Sequence, residues 1–77
     1  LGGSERQYAR VHVFQAIREA GEAGRTAQEV EEATGLGGST VRPRIVELFE
    51  SGAIERTGET RLTRSHRAAE VWIATSW

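Results

Sequence analysis

Residues 26–54 read TAQEVEEATGLGGSTVRPRIVELFESGAI, and this stretch decides the fold because it holds two short helical patterns joined by a glycine-bounded turn. The first pattern opens on a capping box, since Glu29 follows Thr26 by three residues and each side chain can satisfy a free backbone amide of the other. Val30 and Ala33 are three positions apart and are predicted to face inward. Gly35 suits the left-handed end of a helix. The stretch therefore predicts a second helix that begins just after Thr26 and stops before Gly35.

The third helix is predicted from about Gly38 to Glu50. Its apolar residues recur at the spacing of one buried helix face, namely Val41, Ile45, Leu48 and Phe49. Pro43 is an anomaly, because a proline beyond the first turn removes one helix hydrogen bond and clashes with the preceding turn. The helix tolerates it only if it begins near Ser39 or if its first turn is irregular. Gly52 supplies the C-terminal cap.

Working outward to the N-terminus, the first helix is predicted from about Glu5 to Ala20, and residues 21–25, which begin with glycine, form a loop. Helical spacing marks an apolar stripe on this helix, namely Tyr8, Val11, Phe14, Ile17 and Ala20, widened by Val13 and Ala16. Residues 1–4 are interpreted as a disordered tail, a cloning remnant or a cut from a longer protein. The expected domain is thus residues 5–77.

Towards the C-terminus the pattern changes to extended structure. Residues 53–57 alternate as a short strand, 58–59 predict a turn, 61–67 are polar and basic, and 68–75 contain β-favouring side chains. The aromatic side chains expected in the core are Phe14, Phe49 and Trp72. The prediction is an α+β fold, with three helices followed by a two-stranded antiparallel hairpin that has a long basic tip.

Composition limits the class of protein. The chain has 77 residues with 38% hydrophobic content, which suits one small domain with one modest core. It contains no cysteine, and His12 and His66 stand alone, so neither a disulfide framework nor a zinc site is expected. No apolar run approaches the roughly 20 residues that span a bilayer, and no signal peptide is expected. No nucleophile, metal or phosphate-loop motif is recognisable, so we expect neither an enzyme nor a cofactor or small-molecule substrate.

Charge is unevenly distributed along the chain, although the net charge is only −1. Residues 1–38 carry four Arg and six Glu, residues 39–67 carry six Arg and four Glu, and residues 68–77 add only Glu70. Every cationic side chain other than histidine is Arg, which favours bidentate contacts to phosphate or guanine. A GC-rich genome would give the same bias, and both interpretations stay open.

The central stretch resembles the winged helix-turn-helix superfamily of bacterial and bacteriophage DNA-binding proteins. The matching pieces are TAQEV, TGL, STVR, and EL followed by SGAI, while GETRLTRSHRAAEVW resembles the wing. The resemblance covers about residues 10–75. It implies that the third helix reads DNA and that the wing touches the backbone or minor groove. Carried over to this chain, the implied contacts are Ser39, Thr40, Arg42, Pro43 and Val46 on the helix, and Arg61, Arg64 and Arg67 on the wing.

Helix geometry gives independent support for part of this set. If the third helix buries its apolar stripe, a step of about 100° per residue places Ser39, Pro43, Val46 and Glu50 on the opposite face. Arg42 lies beside that face and is the best candidate for a contact to guanine O6 and N7. The alternative is an arginine that only covers the helix surface. Pro43 and Val46 could contact thymine methyl groups or a protein partner.

The predicted hairpin tip combines cations with hydroxyl groups: Arg61, Thr63, Arg64, Ser65, His66 and Arg67. Both types of group donate hydrogen bonds to anionic oxygens, so the pattern favours phosphate contact. The alternative is a solvated tip, where charged residues are expected anyway. His66 is interpreted as a turn residue.

Arg44 has a structural interpretation. Glu31 and Arg44 fall where the second and third helices are expected to cross, so we predict a partly buried ion pair between them. Arg44 would then stabilise the motif and leave base contacts to Arg42.

These observations predict site-specific binding of double-stranded DNA, as a transcription regulator in the cytoplasm of a bacterial or phage-infected cell. Near-neutral charge predicts weak nonspecific affinity, so a homodimer, a larger parent protein or a well-matched site is expected. Tyr8 and Trp77 could pack against a partner's terminus. Two alternatives stay open: a DNA-recognition domain of a phage replication, packaging or recombination protein, and a protein-interaction module.

Overall fold

The computed structural model describes the backbone of residues 2–75 and the side chains of residues 7–75. Three helices come first, α1 (Gly2–Glu19), α2 (Ala27–Thr34) and α3 (Gly38–Glu50), with a 3-10 turn (Gly21–Ala23) between α1 and α2. Two antiparallel strands follow, β1 (Ile54–Leu62) and β2 (Ala68–Ala74). The predicted α+β class, with three helices and a two-stranded hairpin, is therefore confirmed. The proposed contact through Trp77 lies outside the described residues.

The segment from α2 to α3 follows the local sequence closely, except that Ala33, which was predicted to face inward, is exposed. Thr26 is the N-cap of α2: its backbone N–H donates to Glu29 Oε1 at 2.8 Å, and the Glu29 N–H donates to Thr26 Oγ1 at 3.2 Å. Gly35 is the C-cap with φ +76°. The bounds of α3 are those predicted. Pro43 lies on the exposed side of α3. The carbonyl that receives no hydrogen bond from Pro43 therefore lies away from the core.

The core-facing stripe of α1 is rotated from the predicted one. Val13 and Ile17 are fully buried and Ala9 and Ala16 nearly so, whereas Tyr8 is 66% and Val11 52% exposed. The prediction that Val11 belongs to the buried stripe was therefore wrong. Tyr8 belongs to the same predicted stripe, but its exposure is what the expected contact with a partner's terminus requires. Apolar residues cover a wide arc of α1, and the side that the fold buries is the one that carries Ala9 and Ala16.

The C-terminal hairpin differs from the prediction in its turn. Residues 58–59 do not reverse the chain. Instead Arg56 pairs with Trp72 and Thr60 with Glu70, so β1 contains a bulge whose Gly58 has φ +86°. The reversal comes later, where the Thr63 N–H donates to the Arg67 carbonyl at 3.0 Å. The tip of the hairpin therefore consists of residues 63–67.

A short bridge links the hairpin to the helices, in the segment that was expected to be a loop. Arg25 and Trp72 exchange two backbone hydrogen bonds of 3.0 and 2.9 Å, which places residue 25 beside β2. The Arg25 guanidinium also donates to the Ala16 carbonyl of α1 at 2.7 Å. Gly24 makes this approach possible, since a β-carbon there would lie 2.6 Å from the Trp72 carbonyl oxygen.

The aromatic residues lie at the edge of the core. Phe14 and Trp72 are partly buried and pack against it, but Phe49 is 37% exposed, so its assignment to the core was wrong. Phe49 meets Trp72 edge-on, with the ring centroids 5.4 Å apart, and the Arg56 guanidinium lies 4.8 Å from the Phe49 centroid. The cation covers the ring face that the core leaves open.

Candidate nucleic-acid interface

A polar groove of about 400 Å³ opens between α2, α3 and the hairpin. Its lining consists of Ala27, Gln28, Glu31, Arg42, Thr63, Ser65, Arg67 and Ala69. The same groove is therefore lined by an arginine of α3 and by two hydroxyl groups and an arginine of the hairpin tip. The two cationic regions predicted to act together do share a surface.

The geometry of α3 explains why Arg42 faces this groove. Val41 and Ile45 are buried in the core, and Arg42, one position after Val41, turns about 100° away and is exposed. On the hairpin side, Thr63 Oγ1 and Ser65 Oγ lie 3.0 Å apart, so two hydroxyls flank the groove at the reversal. These groups can donate hydrogen bonds to a phosphate oxygen or to a base edge.

The polar groove carries a positive excess among its lining residues. Arg42 and Arg67 are exposed and make no ion pair with any other described side chain. One carboxylate, Glu31, lies with them, packed against the start of α3: a β-carbon at Gly38 would lie 3.2 Å from Glu31 Oε2. A carboxylate at that end of a helix is stabilised by the helix dipole. Two arginines and one glutamate leave the groove suited to an anion.

The remaining predicted residues of α3 lie outside the lining of the polar groove. Ser39, Pro43 and Val46 are exposed on the outer face of the helix, as helical geometry predicted, and Thr40 is half-buried. They form a neighbouring face that a long ligand spanning the groove would also meet.

Arg61 is tied to the fold. Its Nη1 donates to Glu29 Oε1 at 2.5 Å and its Nη2 to the Ala23 carbonyl at 2.8 Å. Its partner on β2 is Ala69. The geometry gives Arg61 a structural role in holding the hairpin against α2.

Two other tip residues that were predicted to contact DNA stand outside the groove lining. Arg64 pairs with Glu32 of α2 at 3.1 Å, with their side chains 81% and 47% exposed. His66 is exposed and takes φ +59°, and its N–H donates to the Thr63 carbonyl at 2.9 Å. The structure therefore places His66 in the reversal, in agreement with its interpretation as a turn residue.

The predicted pair between Glu31 and Arg44 was wrong. Arg44 makes two hydrogen bonds of 2.8 Å to Glu47, one turn along α3, and Arg10 of α1 donates to the same carboxylate at 3.0 Å. Neighbours three residues apart on a helix meet with little loss of conformational entropy, which explains why Arg44 pairs within α3. The hydrogen bond from Arg44, with a further one from Arg10, lowers the pKa of Glu47 below its ordinary value of 4.5, against the opposing effect of burial. Arg44 is committed to this network, which ties α3 to α1.

Sequence reasoning missed the contribution of α2. Gln28 and Glu31 line the groove, yet both belong to a polar helix surface that looks like any solvated face. Only the packing of the hairpin against α2 places them in the site, and no local pattern reports that packing.

Comparisons with protein-family models, curated proteins and solved structures return no match. Among the described residues there is no group of three or more side chains that could hold a metal ion. Nor is any helix in that part of the chain long and apolar enough to cross a membrane. The geometry of the polar groove is therefore the basis for assigning a function.

Proposed function

We propose that this chain is a winged helix-turn-helix domain that binds double-stranded DNA site-specifically, as a bacterial or bacteriophage transcription regulator. In this proposal α3 enters the major groove and the hairpin is the wing that contacts the adjacent backbone. The supporting observation is that Arg42 of α3 and Arg67 of the hairpin tip line the same groove without carboxylate partners among the described side chains.

Each part of the surface has a chemical role in this proposal. Arg42 donates two hydrogen bonds to guanine O6 and N7, a contact that discriminates by about 1–3 kcal/mol against other bases. The neighbouring α3 face offers the Ser39 hydroxyl for hydrogen bonding and apolar atoms of Pro43 and Val46 for thymine methyl groups. Arg67 and the hydroxyls of Thr63 and Ser65 bind phosphate, which fixes register without reading sequence.

A low net charge fits a specific binder better than a general one. Nonspecific affinity for DNA comes from neutralised phosphates. Of the four arginines on this surface, Arg61 and Arg64 are already paired with carboxylates, which leaves two without an ion pair to another described side chain. Useful affinity must then come from base contacts or from a second binding unit. A DNA-recognition role in replication, packaging or recombination would use the same groove.

Selection from a random duplex library tests this proposal. The domain should enrich a guanine-containing motif, and its affinity for the enriched duplex should fall as salt rises from about 50 to 200 mM. A shuffled duplex of equal length and composition is the control, and it should bind more weakly. Failure to enrich any motif, combined with equal binding of both duplexes, would contradict site-specific recognition.

A protein-interaction module is the second candidate, and one observation favours it. Val46 is 53% exposed on α3 beside the exposed Pro43, which leaves an apolar patch on the face assigned to DNA. Binding to a protein through this patch would depend little on salt, whereas DNA binding depends on it steeply. Substitution Val46→Ser should abolish such an interaction while weakening DNA binding only modestly.

A further inference from the structure

Three arginines at or near the hairpin tip, at positions 61, 64 and 67, differ in how firmly the helical part of the chain holds them. Arg61 has two acceptors on the helical part of the chain, a carboxylate and a carbonyl. Arg64 has one, the Glu32 carboxylate at 3.1 Å. Arg67 has no carboxylate partner among the described side chains. The number of intramolecular acceptors therefore falls from Arg61 to Arg64 to Arg67, and the guanidinium becomes freer to bind a ligand in the same order.

The glutamates of α2 explain why Arg61 and Arg64 are held. Its sequence AQEVEEAT holds three glutamates and no basic residue. Glu29 and Glu32 are three positions apart and so lie on one side of the helix. That side meets the hairpin, since Glu29 pairs with Arg61 and Glu32 with Arg64. The carboxylates of α2 thus bind arginines that, under the proposed function, would otherwise be available to the anionic oxygens of a DNA backbone.

We propose that Glu32 is an intramolecular competitor for DNA phosphate, which holds Arg64 in the free protein and releases it when DNA binds. This inference rests on the proposed function. Glu32 adds a built-in restraint on binding: each phosphate contact made by Arg64 must first break an existing ion pair. The pair therefore weakens nonspecific DNA binding, which depends on phosphate contacts.

The exposure of the pair makes Arg64 the arginine that can switch. An ion pair in which both side chains face solvent is only weakly stabilising, because water screens it and two flexible side chains must be ordered. The phosphates of DNA are closely spaced negative charges, and an arginine that binds one of them releases a counterion, so a phosphate can displace Glu32. Arg61 cannot be exchanged so easily, since its carboxylate partner also completes the cap of α2.

A double-mutant cycle on DNA binding tests the competitor directly. Five proteins are titrated with a labelled duplex of random sequence at fixed salt: the wild type, Glu32→Gln, Arg64→Ala, the double variant and Glu55→Gln. Glu55 is the matched control, because it is an exposed glutamate of β1 without an ion pair to another described side chain. Thermal unfolding of each protein verifies that it is folded.

We expect Glu32→Gln to tighten binding about 1.5- to 5-fold, more than Glu55→Gln does. In the Arg64→Ala background the gain should fall to that of the control. A gain that survives the loss of Arg64, or that does not exceed the control, overturns the competitor while leaving the proposed function standing. If the wild type binds neither this duplex nor one from the selection experiment, the proposed function itself fails and the competitor fails with it.

Discussion

The guanidinium of Arg61 on β1 lies 2.5 Å from the carboxylate of Glu29 on α2, across 32 positions of the sequence. The same carboxylate accepts the Thr26 amide in the capping box, so one side chain both starts a helix and anchors the hairpin. This shared acceptor holds the hairpin beside α2. The polar groove depends on that placement, because half of its lining comes from the hairpin.

Arg61→Ala should therefore destabilise the domain by about 1 kcal/mol, a value reduced for the partial exposure of both partners. In a chain of this size that lowers the thermal midpoint by about 4–8 °C. Calorimetry of Arg61→Ala beside Arg64→Ala provides the comparison, since Arg64 makes one exposed contact and its loss should cost less than about 0.5 kcal/mol. Equal effects of the two substitutions would refute the distinct structural role of Arg61.

Thr26→Ala removes the side-chain cap of α2. Thr26 is 2% exposed and its hydroxyl oxygen accepts the Glu29 amide, so the expected loss of stability is about 1–2 kcal/mol. Ser39→Ala is the control, because Ser39 is exposed in the first turn of α3 and Gly37, not Ser39, is the N-cap there. Urea denaturation should show a change near zero for Ser39→Ala. A Thr26→Ala variant as stable as the wild type would contradict the capping box.

Gly24→Ala should be among the most damaging substitutions of a single methyl group. The new β-carbon would lie 2.6 Å from the Trp72 carbonyl oxygen, and φ +67° with ψ −177° adds the strain of a backbone region essentially confined to glycine. We expect a loss of about 2–4 kcal/mol. Gly21→Ala is the comparison, since Gly21 has φ +60° and open space around it, so it meets no clash and a backbone strain of about 1 kcal/mol is expected. Similar losses in denaturant titrations would show that the bridge between Arg25 and Trp72 is not tightly packed.

Glu47 makes stability depend on pH. Its lowered pKa means that the folded state favours the ionised carboxylate, so the stabilisation is present above the ordinary value of 4.5 and is lost as pH falls through the lower folded pKa. The stability gap between the wild type and Glu47→Gln should consequently narrow on acidification. An NMR titration of the Glu47 side-chain carboxyl measures the pKa itself. Arg44→Ala should raise it more than Arg10→Ala does, and the reverse order would contradict the assignment of Arg44 as the main partner.

The helices α2 and α3 were predictable from local sequence signals, whereas features that depend on tertiary packing were missed. Thr26, Glu29 and Gly35 carry their roles in short-range backbone chemistry, and the bounds of α2 follow from them. Gly58 shows the limit of such reasoning, because a glycine with positive φ serves a bulge as well as a turn. In the candidate site, Arg42 was predictable from helical periodicity. Glu31 was not, because its place in the groove depends on how the hairpin packs.

The direct test of the central claim is the DNA affinity of three arginine variants, measured by fluorescence anisotropy on the selected duplex and on its shuffled control. Arg42→Ala should lose about 1–3 kcal/mol of binding free energy on the selected duplex and little on the shuffled one. Arg67→Ala should weaken binding to both duplexes and reduce the slope of log affinity against log salt concentration by about one. Arg18→Ala, an exposed arginine of α1 outside the polar groove, removes the same charge and should change neither strongly. If Arg42→Ala and Arg67→Ala bind both duplexes no worse than Arg18→Ala, the polar groove is not the DNA-binding surface.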